Sequence, residues 1–237
     1  MSGERPLPAM EDLKLASVIP ATEAEDRERV RRIAEEAATA FARMAQVRRG
    51  VTVFGSAGNA AAARWGGLAR RVSQGLSEAG FTVITGGGPG LMAEANQGAR
   101  SAGGASVGLT IHLPEGEPVN PFLTLKVPFH YFFLRKLALV RYSCAFVLLP
   151  GGFGTLDELF EALNLRRTHR LEPFPVILVG SQFWEGLLVW LRDAAVAGGT
   201  LTEEDVARIT VTDDPAEVVM EVMECHAALC RRLGVGP

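Results

Sequence analysis

From Gly50 onward, short runs of apolar residues alternate with longer stretches whose apolar positions recur every three or four residues. The short runs predict strands at Val51–Phe54, Phe81–Ile84, Ala105–Leu109, Leu123–Val127, Ala145–Leu149, Pro175–Val179 and Ile209–Val211. The longer stretches predict helices from Ala60 to Ala79, from beyond Pro89 to Ala102, from Tyr131 to Arg141 and from the Gly151 turn to Thr168. Two more follow, from Phe183 to Ala195 and from Ala216 onward. Gly80 stands where a helix-terminating glycine belongs. Strands that are almost wholly apolar and alternate with helices imply an α/β fold, a parallel sheet covered by helices on both faces.

Ahead of this pattern lies one helix without a strand. Thr22 precedes the acidic Glu23 and Glu25, which suits a helix start. Val30, Ile33, Ala34, Ala37, Phe41 and Met44 then form an apolar stripe reaching Gln46. The expected organisation is a loose leader over residues 1–21 and an added helix within an extension ending at residue 49. A single domain follows over 50–237.

Composition narrows the chemistry. Among 237 residues, 24 are basic and 27 acidic, a balance that argues against a nucleic-acid partner. Apolar runs such as Ala145 to Leu149 fall far short of the roughly 20 residues that span a membrane. Glu4, Arg5 and two prolines leave no apolar signal-peptide core at the start. The expectation is a soluble, cytoplasmic protein with no membrane partner. Three cysteines without a CxxC pair, and four histidines without ligand spacing, indicate neither a disulfide framework nor a metal site. Cys225, His226 and Cys230 read as packing on the last helix. With only Lys14, Lys126 and Lys136, lysine-dependent chemistry has few candidates.

Three glycine-rich turns, at Gly55, Gly86 and Gly151, each follow a strand end and should meet on one rim of the sheet. A glycine turn feeding a helix offers unpaired N–H groups and the positive end of the helix dipole, a ready phosphate site. Leu91 stands where a dinucleotide fingerprint needs its last glycine, and no turn ends in the GK[ST] of a P-loop. A ligand with one phosphate therefore fits better than a dinucleotide or a nucleoside triphosphate.

Polar residues beside these turns have two readings each. Thr155 and Glu158, three apart, match either a capping box or a phosphate ligand with a carboxylate one turn behind it. Asp157 should point to solvent. Arg135 and Lys136 interrupt an apolar helix, as two solvated cations or as ligand-binding groups. Glu94 either complements its helix N-terminus or touches ligand.

Taken together, Gly86-Gly-Gly-Pro-Gly-Leu-Met92, Arg135-Lys136 and Pro150-Gly-Gly-Phe-Gly-Thr-Leu-Asp-Glu158 resemble the LOG (Lonely Guy), or "lysine decarboxylase-like", family. The likeness runs from about Val51 to Val179. It implies a Rossmann-like three-layer domain, a homodimer, no cofactor and no metal. The implied activity is hydrolysis of a nucleoside 5′-monophosphate, AMP or a cytokinin riboside monophosphate, to free base and ribose 5-phosphate. Arg135 and Glu158 match the family's catalytic pair, and Gly151, Gly152, Gly154 and Thr155 its phosphate turn. Ser56, Gly87, Gly88, Glu94 and Lys136 complete the expected substrate contacts. The chain departs from the family pattern at Ala93, at Arg167-Thr-His-Arg170 and in its N-terminal helix, and the last two leave the base preference open. A non-catalytic carrier of a phosphorylated ligand, like the molybdenum-cofactor carriers of similar fold, is the alternative. A PLP-dependent decarboxylase would have to rely on Lys136 without a recognisable cofactor motif.

Overall fold

In the computed structural model, which describes residues 22–113, 116, 118–168, 170 and 174–234, seven parallel strands form one sheet. These are β1 (Gly50–Phe54), β2 (Thr82–Thr85), β3 (Ser106–Ile111), β4 (Leu125–Phe129), β5 (Ser143–Leu148), β6 (Val176–Leu178) and β7 (Ile209–Val211). Their spatial order is β4-β3-β2-β1-β5-β6-β7. The chain therefore winds outward from β1 to one edge, then crosses back to β5 and winds to the other. The β1/β5 junction is the switch point, where crossovers leave in opposite directions and open a crevice beyond the strand ends. There Val53 pairs with Val147 and Phe54 with Leu148.

Both sheet faces are dry, and the period-two alternation sorts the strand residues between two cores. Val51, Val53, Ala145, Val147 and Leu149 pack under α2 (Asn59–Glu78), α3 (Leu91–Ser101) and α8 (Pro215–Leu233), which contribute Ala69, Leu76, Leu91, Ala95 and Val218. Phe54, Phe146 and Leu148 face the other way, toward α1 (Glu23–Met44), α4 (Phe132–Arg141), α5 (Phe153–Arg167) and α6 (Ser181–Trp190). That layer is filled by Met44, Leu134, Leu139, Leu159 and Trp184, with Phe54 and Phe174 set edge-on to Phe146. The three layers expected from the sequence are present.

Thr22 caps α1 through a reciprocal bond with Glu25, and Gly80 ends α2 at φ +81°. α1 packs on β4 and α4, where Ala40 and Met44 are buried. Two elements differ from the sequence reading. The helix expected over 183–195 starts at Ser181 and passes into a π-helical turn at Leu191–Val196. A short helix, α7 (Glu203–Ala207), was not expected, because five mostly acidic residues carry no apolar period. The leader over residues 1–21 and His169 lie outside the described residues.

Candidate active site

The three glycine turns do meet, and backbone hydrogen bonds tie them together. The Ser56 N–H donates to the Pro150 carbonyl at 3.1 Å, joining the first turn to the third. The Leu91 N–H donates to the Ser56 carbonyl at 2.9 Å, joining the second to the first. Gly90 makes this docking possible. It sits at φ +67°, and a Cβ there would strike the Ser56 carbonyl and the Ala57 backbone.

A cleft of about 420 Å³ opens between the turns. Ser56, Gly86, Arg135, Gly152, Gly154, Thr155 and Glu158 line it. Met92, Ile111, Leu113, Phe132 and Leu139 add an apolar wall. One side of the cleft is thus polar and glycine-rich, and the other suits a flat ring.

The glycines of the third turn divide by what surrounds them. At Gly151 a Cβ would collide with the Thr155 hydroxyl, so packing alone demands glycine. At Gly152 and Gly154 a Cβ would meet nothing within 4 Å. Both border the cleft, so these two positions keep backbone open to a ligand rather than to a neighbouring side chain. Gly152 is the N-cap of α5, and the first-turn N–H groups of Phe153 and Gly154 have no helical carbonyl to reach.

This helix start overturns the capping-box reading. α5 begins at Phe153, so Thr155 lies inside the first turn instead of at the N-cap, and no side chain caps the helix. Glu158 is free of that duty. It is 8% exposed, and its Oε2 makes no hydrogen bond. Burial pushes its pKa up to about 7. The Lys136 charge pulls the other way, Glu161 and Asp157 add repulsion, and Arg135 contributes a smaller downward pull.

Lys136 sits on α4 across from α5. Its Nζ is 2.7 Å from Asp157 Oδ2, 2.7 Å from Glu161 Oε2 and 3.9 Å from Glu158 Oε1. Burial works against its charge, but the Asp157 and Glu161 bonds outweigh it and raise its pKa. Asp157 is thus not simply solvated: it is largely exposed yet bonds Lys136 and borders the cleft. Glu161 was not singled out in the sequence, though its place one turn beyond Glu158 was a usable signal.

Arg135 donates from Nε to the Leu109 carbonyl at 2.8 Å, in the second half of β3. Its guanidinium lies against Gly86, where a Cβ would meet Nη2 and the Met92 sulfur. Gly86 is therefore the residue that lets Arg135 reach the cleft. Gly87 and Gly88 border a smaller cavity of about 170 Å³, which shares Gly86, Ile111 and Leu113 with the main one. Gly87, at φ +75°, could not take a side chain without hitting Thr110 and Gly108.

Buried neutral groups hold this second turn. The Thr85 hydroxyl accepts from the Gly87 N–H at 2.9 Å and donates to Asn96 Oδ1 at 2.7 Å. The Asn96 amide donates to Ser106, and the Asn120 amide donates to Asn96 Oδ1 and to the Gly88 carbonyl. Asn96 and Asn120 carry no motif of their own and were invisible in the sequence.

Glu94 is placed apart from the cleft. It faces α2, where Gly66 leaves room for it, and its Oε2 is 2.6 Å from Arg70 Nε. Its first-turn position complements the helix dipole, the structural one of its two readings.

Glycine turns, a buried carboxylate and an arginine thus meet at the switch point of a doubly wound sheet, the place where ligands bind in such folds. The chain belongs to the family described as "Possible lysine decarboxylase", the LOG-type family, whose model matches residues 92–222. It is 29% identical over 184 residues to a cytokinin riboside 5′-monophosphate phosphoribohydrolase of Rhodococcoides fascians, covering 75% of this chain and 91% of that protein. It is 30% identical over 163 residues to the probable cytokinin riboside 5′-monophosphate phosphoribohydrolase LOGL3 of Oryza sativa subsp. japonica, covering 66% and 74%. Among solved structures, the structural-genomics target TM1055 superposes with a TM-score of 0.60 at 25% identity, over 75% of this chain and 99% of that one. The molybdenum cofactor carrier protein of Chlamydomonas reinhardtii shares the fold, with a TM-score of 0.54 at 22% identity over 76% and 99%. No described helix is long and apolar enough to cross a membrane.

Proposed function

We propose that this protein hydrolyses the N-glycosidic bond of a nucleoside 5′-monophosphate, releasing the base and ribose 5-phosphate. The observation that carries the reading is Glu158: a buried carboxylate with an unbonded oxygen, one helical turn behind an open glycine cradle. A helix gains nothing structurally from such a group, and a binding site for phosphate alone has no use for it.

The 5′-phosphate takes the first turn of α5, where the N–H groups beside Gly152 and Gly154 and the Thr155 hydroxyl meet it at the positive helix end. Holding the phosphate fixes the sugar over Glu158, one turn further on. The base lies toward Met92, Ile111, Leu113 and Phe132. As the bond to the base lengthens, positive charge develops on the sugar ring. Ionised Glu158 stabilises that charge, holds ribose hydroxyls and orients or deprotonates the attacking water. Arg135 stays protonated, so it acts as a fixed positive charge at the glycine turn and not as a proton donor. Lys136, bonded to Asp157 and Glu161, keeps enough positive field near Glu158 for the carboxylate to ionise near neutral pH. These roles need no metal and no cofactor. The names of the Rhodococcoides and rice relatives support this reaction class.

The working unit is a homodimer. Phe132, Phe133 and Leu137 on α4 and Phe153 and Phe160 on α5 are exposed, Phe153 at 92%. The Lys136 bonds to Asp157 and Glu161 set these two helices side by side. Apolar rings gathered on adjoining helices are expected to be covered, and a second copy beside the cleft does so.

Incubation with AMP, GMP, CMP, UMP and a cytokinin riboside monophosphate, with assays for free base and ribose 5-phosphate, tests the reaction. Release that disappears in Glu158→Gln supports it. AMP binding without release from any of the five would overturn it in favour of a carrier.

A further inference from the structure

Glu36 lies on α1, in the extension that precedes the sheet, and belongs to none of the glycine turns. Its side chain is nonetheless only 11% exposed. Both carboxylate oxygens accept the His130 backbone N–H, each at 3.1 Å, and Oε1 also accepts the Tyr131 N–H at 3.1 Å. His130 Nδ1 lies 3.1 Å from Oε2.

Tyr131 is the N-cap of α4, which has no side-chain cap of its own. Glu36 holds the N-cap N–H from another element, as the carboxylate of a capping box does, and sets a negative charge at the positive end of the helix. The Tyr131 carbonyl accepts the Arg135 N–H at 3.1 Å, the first bond of the helix. One residue therefore links Glu36 to Arg135: its N–H is held by α1 and its carbonyl by the arginine backbone. At the far end of α4, the Tyr142 hydroxyl donates to the Phe41 carbonyl, again on α1. The added helix grips α4 at both ends, and Ala40 and Met44 anchor it in the core.

We propose that Glu36 is a positioning residue for Arg135, which makes the N-terminal helix a working part of the site. The proposal rests on the hydrolase reading for its kinetic arm only. α4 carries Arg135 and Lys136 on successive residues, so a small slide or rotation of its first turn displaces both cations. Arg135 keeps its contact with the Leu109 carbonyl only while that turn holds still.

Two variants test this, Glu36→Gln and Glu36→Ala, with Glu35→Gln as control. Glu35 is on the same helix and pairs with Arg31 instead of α4. Hydrogen–deuterium exchange is read over 130–137 and, for comparison, over β5. Faster exchange confined to 130–137 in both Glu36 variants, with Glu35→Gln matching the parent, is the expected result. In the kinetic arm, kcat on the best nucleotide falls about 10-fold or more while KM stays within about 3-fold, because misplacement acts on the transition state. Unchanged exchange at 130–137 would overturn the proposal. So would faster exchange across the whole sheet in the size-matched Gln variant, which would make Glu36 a general fold contact. Should the parent protein release no base, the hydrolase reading falls, and the exchange arm still decides the role of Glu36.

Discussion

Replacing Glu158 with Gln should make the protein more stable above neutral pH while abolishing its activity. The carboxyl has a pKa near 7 in the folded chain against an ordinary value of 4.5. Between those values the folded protein keeps a proton that the unfolded chain has already lost. Folding stability therefore falls as pH rises from about 4.5 to about 7, and the full deficit remains at higher pH. A shift of that size corresponds to about 3 kcal/mol, and little of it is screened, since the side chain is 11% exposed. Gln has the same shape and no charge to desolvate. Urea unfolding of both proteins at pH 5, 6, 7 and 8.5 isolates the effect, because every other titrating group cancels in the difference. The stability gap should grow in favour of Glu158→Gln by up to about 3 kcal/mol across that range. In thermal melts this is roughly 6–12 °C for a chain of this length. A gap that stays flat from pH 5 to pH 8.5 would refute the claim that this carboxylate is held against its solvation.

The same group predicts the pH profile of the reaction. If ionised Glu158 is the working form, kcat/KM rises through about pH 7, and Lys136→Met moves that midpoint upward by removing the charge that favours ionisation. A midpoint that falls or stays put in the variant would count against the assignment. The third glycine turn should split under alanine scanning. Gly154→Ala, with open space around it, should leave stability unchanged or raise it by up to about 1 kcal/mol while weakening AMP binding in calorimetry. Gly151→Ala should destabilise by about 1–3 kcal/mol in urea titrations, through its collision with Thr155. Phe153→Asp or Phe133→Asp should halve the mass seen in sedimentation equilibrium; a parent protein that is already a monomer would refute the dimer.

The sheet was legible because its strands are apolar on both faces and each chemical turn begins with glycine at a strand end. The convergence of the turns could be read for the same reason, since parallel strands all end on one rim. Side-chain duties were less accessible. Thr155 and Glu158 have the spacing of a cap, and only the helix start at Phe153, three residues earlier than a cap at Thr155 would require, shows that neither serves as one. Glu94 has an equally ordinary place in a first turn, and its partner Arg70 comes from a helix 24 positions away. Asn96, Asn120 and Glu36 act across the fold on backbone atoms, which leaves no local pattern to find.

The two sides of the cleft are built from different kinds of bond. Beneath the Gly86–Gly88 turn, Thr85, Asn96, Ser106 and Asn120 are joined only through neutral donors and acceptors. Opposite them, Lys136, Asp157, Glu158 and Glu161 form a charged group that runs from buried Glu158 out to Asp157, 66% exposed. Dissolved salt weakens the second and hardly touches the first. Ionic strength thus loosens the Lys136–Asp157 pair at the mouth of one wall, while burial keeps setting the proton affinity of Glu158 and the neutral network keeps its shape.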